Sequence, residues 1–377
     1  MTRSAASAGL ALLLALTGCD VLDDAPDASA TGAGEASPSA WVEVAAARFL
    51  DDGESETVTL PDPGLADALA LRVTSDPAVC FQLSSLVDGR GHAPITGRSA
   101  GADCRACGLR TSAAVGAGVF VLPREDGRLE PEAGLELRVA RLDCETLTPL
   151  KTPEDRPPLR IELQSIEEVP EEAAIELRFL VDASSILYRD DDRQARLMDA
   201  LRAQLASSGI TPRRLETREL DPLPANLSFH AGDVSALAAA RAGAPATLET
   251  TIDVVFGGCL RYDDPFFGPP SPVDGYTPRI PGGAGGADAV FMPGLDCLAE
   301  DAGPEDIPVE TQARVLAHEL GHYLGLYHAV EADGAVDSLD DTGPDNIMHH
   351  NPGLADATGF SPSQGRVMRA HPSALAL

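Results

Sequence analysis

The sequence has 377 residues, with 59 acidic and 28 basic side chains, which give a formal net charge of −31 at pH 7. A charge this negative excludes a nucleic-acid binder that works by phosphate neutralisation, and it argues against docking on anionic lipid through a basic patch. At about 150 residues per domain, the length allows two or three domains with their own cores.

The first residues predict an export signal. Arg3 precedes an apolar run, Leu10–Leu16, that is too short to span a bilayer and has the proportions of a signal-peptide core. The following Leu16-Thr17-Gly18-Cys19 resembles the lipobox of bacterial lipoproteins, whose cysteine becomes the lipidated first residue. The resemblance implies a signal peptide over residues 1–18 and lipidation of Cys19. An ordinary secretory peptide with a chance cysteine is the alternative.

Such a signal implies an exported bacterial lipoprotein of the cell envelope, on the periplasmic face or the cell surface. The lipid anchor would be its only contact with the membrane, because no later segment has the roughly 18 consecutive apolar residues of a membrane span. Residues 19–40 are rich in Ala, Asp, Ser, Gly and Pro, which predicts a flexible tether.

Export makes disulfides plausible, and the chain has seven cysteines, of which Cys19 is one. We predict one bridge between Cys259 and Cys297 in the second half. Two more bridges are expected among four cysteines that allow three pairings: Cys80, Cys104, Cys107 and Cys144. A zinc site built from Cys104 and Cys107 is a weaker interpretation, because a lone CxxC lacks its second pair.

Short alternating segments occupy residues 41–165. Period-two alternation in Leu69–Val73 and Leu135–Val139, with turn pairs such as Asp88-Gly89, predicts an all-β sandwich or jelly-roll domain. This stretch contains no recognisable cluster of catalytic or metal-binding residues. It is either a spacer and packing module or a binding module, since a sandwich fold by itself implies no function.

A proline-rich, acidic stretch at residues 149–170 contains the predicted domain boundary. Strand, helix and strand then alternate, which predicts an α/β domain with a mixed sheet over residues 171–377. The predicted elements are a strand at 175–181, a helix at 190–208, a strand at 250–255 and a short strand at 287–292.

Residues 318–328 read His-Glu-Leu-Gly-His-Tyr-Leu-Gly-Leu-Tyr-His. On a helix, His318 and His322 lie at i and i+4 and project from one face, which suits two ligands of a tetrahedral Zn²⁺. Glu319 points to the side of the metal, within reach of a metal-bound water. Gly325 permits a sharp turn that brings back His328 as third ligand. Three protein nitrogens leave the fourth position for water, which is typical of a catalytic site.

This stretch has every fixed position of H-E-x-x-H-x-x-G-x-x-H and resembles the metzincin zinc metalloproteases. The resemblance implies a metzincin-like α/β (α+β) catalytic domain, with its zinc helix, that hydrolyses peptide bonds of a protein or peptide substrate. Zn²⁺ would lower the pKa of its bound water, and Glu319 would take the proton and deliver it to the leaving amine. Met348, 20 residues after His328, fits the family's methionine turn, an apolar floor under the ligands.

Some metzincins have a tyrosine two residues after this methionine, where the chain has His350. Either this subgroup lacks the tyrosine, or His350 replaces it as a hydrogen-bond donor. We favour the first and leave His349 and His350 out of the ligand set. The segment Ser338-Leu339-Asp340-Asp341-Thr342 resembles the pappalysin-like branch, some members of which bind calcium nearby. Asp337, Asp340 and Asp341 are candidate Ca²⁺ ligands, and a solvated acidic loop is the alternative.

The resemblance has two further implications. The strand at 287–292 precedes the zinc helix, where the clan has an edge strand that pairs with extended substrate. Cys107 lies in a segment that faintly resembles the inhibitory cysteine of pro-segments, although an even cysteine count favours a disulfide. Two other classes of protein stay open: a non-catalytic surface lipoprotein, and a zinc hydrolase of a non-protein substrate.

Overall fold

The computed structural model describes residues 40–62, 66–89, 91, 112–122, 134–230, 232–242, 244, 250–263, 270–284, 288–295, 297, 307–332, 334, 336–337, 339–351 and 359–377. The predicted signal peptide, Cys19, most of the tether, Cys104 and Cys107 lie outside these residues. Within them, no helix has both the length and the apolar character needed to cross a membrane.

The first half of the chain forms one antiparallel sheet of eight strands. Their order across the sheet is β1-β8-β3-β6-β5-β4-β7-β2. In chain order the strands are β1 (Val42–Arg48), β2 (Val58–Thr59), β3 (Ala68–Ser75), β4 (Cys80–Asp88), β5 (Ala114–Val115), β6 (Ala117–Leu122), β7 (Leu135–Leu142) and β8 (Pro158–Ile166).

Both halves of this sheet bury alternate side chains in one apolar cluster. Leu69 and Leu71 of β3 belong to the same cluster as Leu137 and Val139 of β7, so the sheet folds over a shared core. The sequence predicts two separate layers, but here the short strand β5 connects them into a single hydrogen-bonded sheet. The disulfide Cys80–Cys144 joins the start of β4 to the loop after β7.

The second half has a mixed sheet with the order β10-β9-β12-β15, in which these four strands are parallel and β16 pairs antiparallel with β9. A smaller sheet has the order β11-β13-β14. In chain order the elements are β9 (Ala173–Val181), α1 (Asp191–Leu205), β10 (Ile210–Glu219), β11 (Asn226–Phe229), α2 (Ser235–Ala242), β12 (Thr251–Phe256), β13 (Cys259–Tyr262), β14 (Ser271–Pro272), β15 (Val290–Met292), α3 (Val309–Tyr323), α4 (Pro362–Arg369) and β16 (Leu375–Ala376).

Helices α1 and α3 cover one face of the mixed sheet. The Asp190 side chain caps α1 by accepting a hydrogen bond from the backbone N–H of Arg193, and Gly209, at φ 71°, ends the following 3-10 turn. The apolar faces of both helices share one buried cluster with β9 and β12. On the opposite face, α2 and the smaller sheet form a second cluster. Cys259 is bonded to Cys297, the pair that the sequence predicts.

A small apolar cluster joins the first sheet to the second half of the chain. Ala70 and Val121 of the first sheet pack in it with Ala284 and Ala370 of the second half. Residues 38–377 accordingly form one compact unit. Separate domains over 41–165 and 171–377 stay a prediction.

Strand β15 lies at the end of the mixed sheet, as expected, but its outer edge is covered. Tyr276 donates a backbone hydrogen bond to Phe291 O and accepts one from Phe291 N, each at 2.9 Å. The prediction that this strand pairs directly with substrate is therefore wrong at Phe291, because Tyr276, in the segment before β15, already pairs with the backbone N–H and C=O of Phe291.

A buried ion cluster crosses the mixed sheet between β9 and β12. Arg178 donates from Nε and Nη2 to the two carboxylate oxygens of Asp253, at 2.7 and 2.9 Å, and Arg241 Nε lies 2.6 Å from Oδ2. Both Arg178 and Asp253 are almost fully buried. The carboxylate is therefore the counter-charge for two guanidinium groups.

We expect Asp253→Asn to lower the free energy of unfolding by about 3–5 kcal/mol, since it leaves buried guanidinium charge without its partner. Asp199→Asn is the matched control, because Asp199 pairs with Arg202 on the exposed face of α1 and such pairs contribute under about 1 kcal/mol. Urea unfolding of both variants measures the difference. Equal, small losses would contradict a structural role for this cluster.

Candidate metal centre

Helix α3 places His318 and His322 side by side. The segment Val309–Ala317 contains neither Gly nor Pro, so the helix runs without interruption into the histidines. One helical turn separates the two imidazoles, and their ring centroids are 4.6 Å apart. Both side chains are buried beneath the cleft described below.

The chain turns back immediately after α3. Gly325 has φ 109°, a conformation that strains any residue with a Cβ, and the Leu326 N–H donates to Gly321 O at 2.9 Å. This turn returns His328 to the helix, with its ring centroid 5.3 Å from that of His318 and 4.8 Å from that of His322. The three imidazoles that the sequence selects therefore lie together.

Each of the three histidines is oriented through its Nδ1 atom. Nδ1 of His318 lies 2.8 Å from Ile347 O, that of His322 lies 2.7 Å from Leu326 O, and that of His328 lies 2.9 Å from Glu331 Oε2. Carbonyl and carboxylate oxygens only accept hydrogen bonds, so each Nδ1 carries the proton and donates it. Each Nε2 of a neutral ring therefore presents a lone pair, the arrangement that metal-ligating histidines show.

The three ligand atoms lie within 4.8 Å of one another. His322 Nε2 is 3.2 Å from His328 Nε2, so two lone pairs face each other and repel unless a cation lies between them. Two nitrogens bound to a tetrahedral Zn²⁺ at about 2.0–2.1 Å are separated by about 3.3 Å, which this distance matches. The residues therefore fit zinc. Among the described parts of the chain, no second such group of His, Cys, Asp or Glu occurs.

Burial keeps the deepest ligand neutral. Loss of hydration, together with the nearby His328 ring, lowers the pKa of His318 to about 3. A neutral imidazole is the form that binds a metal, so this ligand needs no deprotonation near neutral pH.

Met348 packs under the metal site. Its side chain is fully buried, and a Cβ added to Gly321, the neighbour of His322, would lie 2.5 Å from its Sδ. The Met348 N–H donates to Asn346 Oδ1 at 2.8 Å, which fixes the turn at residues 346–348. The Ile347 carbonyl of this turn orients His318. Met348 is therefore an apolar support of the ligand helix.

Glu319 lies beside the histidines and outside the ligand group. Burial raises the pKa of the Glu319 carboxyl to about 8, although the hydrogen bond from Thr277 acts to lower this pKa. Thr277 Oγ1 is 2.9 Å from both Glu319 Oε2 and the Glu319 carbonyl oxygen. A divalent cation at the three histidines would favour the charged carboxylate, since opposite charge opposes the effect of burial.

A cleft of about 720 Å³ opens over these groups. Its lining includes the three histidines, Glu319 and the segment 272–280. His350 also lines the cleft, but neither it nor His349 belongs to the group of converging ligand atoms.

The acidic loop gives no support for calcium. Asp337 Oδ1 accepts hydrogen bonds from Thr342 Oγ1 and the Leu339 N–H. The Asp341 carboxylate accepts from Ser361 Oγ at 2.8 Å and from the Ser363 N–H at 3.0 Å. Asp337 and Asp341 thus stabilise this loop and the start of α4, and Asp340 is exposed.

Glu331 and Thr277 are the two residues of the site that sequence reasoning missed. Glu331 carries a weak signal, since a carboxylate three residues after a histidine ligand can reach its Nδ1 atom. Thr277 lies 42 residues before Glu319 and has no signal in the sequence.

No protein-family model and no curated protein matches the sequence. The solved structures that resemble part of the chain include the following two. Archaemetzincin from Methanopyrus kandleri is 18% identical, with a TM-score of 0.29 over 53% of this chain and 88% of its own. Metalloproteinase-II from Bacteroides fragilis is 12% identical, with a TM-score of 0.35 over 57% of this chain and 63% of its own, under two thirds of its length. The histidine geometry, and not these distant likenesses, carries the chemistry of the site.

We expect the purified protein to hold about one zinc ion per chain, and His328→Ala to lose most of it. Glu331→Gln should weaken zinc affinity by about 10–100-fold, because a neutral amide accepts from His328 Nδ1 more weakly than a carboxylate does. Competition with a chromogenic chelator measures both affinities.

The matched control is Asp340→Ala, a carboxylate removed from the neighbouring acidic loop, which should bind zinc as the parent does. Full zinc occupancy in His328→Ala would show that the third ligand is misassigned.

Proposed function

We propose that the protein is a zinc-dependent endopeptidase of the metzincin type, with Glu319 as general base and a lipid anchor at Cys19. One observation carries the catalytic part: three Nε2 lone pairs converge at the floor of an open cleft, next to a buried carboxylate that is not a ligand. A closed structural site would use a fourth protein ligand, whereas three ligands leave one position for the reaction. The sequence Ser338-Leu339-Asp340-Asp341-Thr342 supports assignment to the pappalysin-like branch of the metzincins.

The reaction follows from the positions of these groups. The three Nε2 atoms would hold Zn²⁺, which would supply a Lewis acid for the scissile carbonyl and would increase the acidity of water. The Glu319 carboxylate accepts a proton from the attacking water as the new C–O bond forms. It returns this proton to the amide nitrogen as the C–N bond breaks, so the products are an amine and a carboxylic acid, which then loses its proton to solvent.

The cleft supports a polypeptide substrate. The segment 272–280 lines it, and its volume of about 720 Å³ is within the range of ligand-binding clefts. A zinc hydrolase of another amide or ester has the same catalytic groups, so the choice of substrate in the assay separates the two functions.

Glu319→Gln should keep the metal and lose the activity. Gln is nearly isosteric, so the histidines stay in place, but its amide cannot take up and return a proton at neutral pH. We expect a loss of at least about 10²–10⁴-fold in the cleavage of casein, with zinc content unchanged. Phenanthroline should abolish parent activity, and added zinc should restore it.

Glu310→Gln is the matched control, since Glu310 is exposed in the first turn of the same helix. Equal rates for the parent and Glu319→Gln would exclude Glu319 as the base. Hydrolysis of a small ester or amide without any cleavage of protein would favour the non-protein substrate.

The anchoring part of the proposal is tested at Cys19. In a bacterial host with lipoprotein processing, we expect the parent in the membrane fraction and Cys19→Ala in the soluble envelope fraction, because only the parent can be lipidated. Membrane retention of the variant at the parent level would contradict the anchor.

A further inference from the structure

The segment 272–280 passes directly over Glu319. A Cβ built on Gly275 would lie 2.7 Å from Glu319 Cγ and 2.9 Å from Val315 Cγ1, closer than side-chain carbons approach. The backbone at Gly275 therefore rests on the Glu319 side chain. This contact limits the space in which the carboxylate can move.

Two residues later, Thr277 makes a polar contact with the same side chain. Its Oγ1 lies 2.9 Å from Glu319 Oε2, and Thr277 itself is buried. The hydroxyl is the donor to the ionised carboxylate, which only accepts, and it lies equally close to the Glu319 carbonyl oxygen, so its one proton is shared between these two acceptors. Gly275 and Thr277 thus contact Glu319 by packing and by hydrogen bonding, respectively.

Contacts with the first sheet, and with Ser112 just before its strand β5, hold this segment in place. Ser112 Oγ donates to Ile280 O at 2.9 Å and accepts from the Ile280 N–H at 3.0 Å. The Arg279 guanidinium donates to Val115 O and Ala117 O, the two ends of the tight β5–β6 connection.

Arg279 is also tied to the second half of the chain. Its guanidinium is buried and paired with the carboxylate of Asp288, which precedes β15. On the other side of Thr277, Tyr276 is hydrogen-bonded to Phe291 of β15. Thr277 therefore lies between two anchored neighbours, and its hydroxyl is held towards Glu319.

We propose that Thr277 is a positioning residue that orients the Glu319 carboxylate for proton transfer, and that the first sheet holds Thr277 in place through Ser112 and Arg279. This rests on the proposed function, in which Glu319 is the base. It also assigns a role to the first sheet, which supports the segment that lines the catalytic cleft.

The test compares Thr277→Val, which removes the hydroxyl at nearly constant volume, with Thr277→Ser, which keeps it. In the full chain loaded with zinc, we expect Thr277→Val to lower kcat by about 10–100-fold with KM and zinc content unchanged, since a small misplacement of a reacting group is enough for such a loss. Thr277→Ser should keep kcat within about threefold of the parent. Equal kcat for parent and Thr277→Val, or an equal loss in both variants, would overturn the proposal.

Glycine substitutions test the packing contact. Gly275→Ala should displace the Glu319 side chain and lower kcat while zinc stays bound. Gly343→Ala should match the parent, because a Cβ at Gly343 meets nothing within 4 Å. Thermal unfolding of each variant separates an effect on orientation from a loss of folded protein.

A double-mutant cycle tests the role of the first sheet. Ser112→Ala should lower kcat in the parent but add little to Thr277→Val, because both changes act on the same carboxylate. Ser228→Ala, an exposed serine of β11, is the control. Independent, multiplicative losses would overturn the link between the first sheet and Thr277.

Crystal structures of the zinc-loaded parent and Thr277→Val separate this proposal from the proposed function. We expect the Glu319 carboxylate to leave its parent position, or to occupy several, when the hydroxyl is absent. An unchanged, single position in the variant would overturn the positioning role even if the enzyme is active. If the parent cleaves no protein, the endopeptidase assignment fails, and these structures still decide whether Thr277 orients Glu319.

Discussion

Three imidazole rings direct their Nε2 lone pairs at one point, where the lone pairs repel one another. Other contacts must oppose this repulsion for the site to hold its shape. The opposition comes from the far side of each ring, where Nδ1 donates to a carbonyl or carboxylate oxygen. These hydrogen bonds fix the tautomer as well as the orientation, so the rings are ready to bind a cation before it arrives. The turns that follow α3 keep two of those oxygens, the carbonyl oxygens of Leu326 and Ile347, in place.

Each oxygen acceptor depends on a different part of the fold. The Leu326 carbonyl is available because Gly325 turns the chain at the end of α3. The Ile347 carbonyl belongs to the turn that Asn346 and Met348 stabilise from below, in contact with the helix at Gly321. A change in packing beneath the helix would therefore reach the metal through His318, without altering any ligand.

The cleft joins the two halves of the chain. The second half supplies the histidines and Glu319, whereas the segment that covers Glu319 is attached to the first sheet at Ser112 and through Arg279. A shared apolar cluster also joins the two halves, and residues 38–377 form one compact unit. An all-β stretch thus contacts, through Ser112 and the β5–β6 connection, the loop whose Thr277 is hydrogen-bonded to Glu319.

The sequence by itself determined the local chemistry, because helical periodicity turns a spacing of four into a shared face and only glycine tolerates the turn at Gly325. The histidine triad and the neighbouring Glu319 follow from such short-range reasoning, whereas the pairing of Cys259 with Cys297 follows from their being the two cysteines of the second half. Tertiary structure alone decided what approaches the triad from far along the chain. Thr277 is 42 residues from Glu319, and Ser112 is 168 residues from Ile280. An isolated threonine or serine has many equivalent partners in a sequence, and only the packing of both sheets selects one of them.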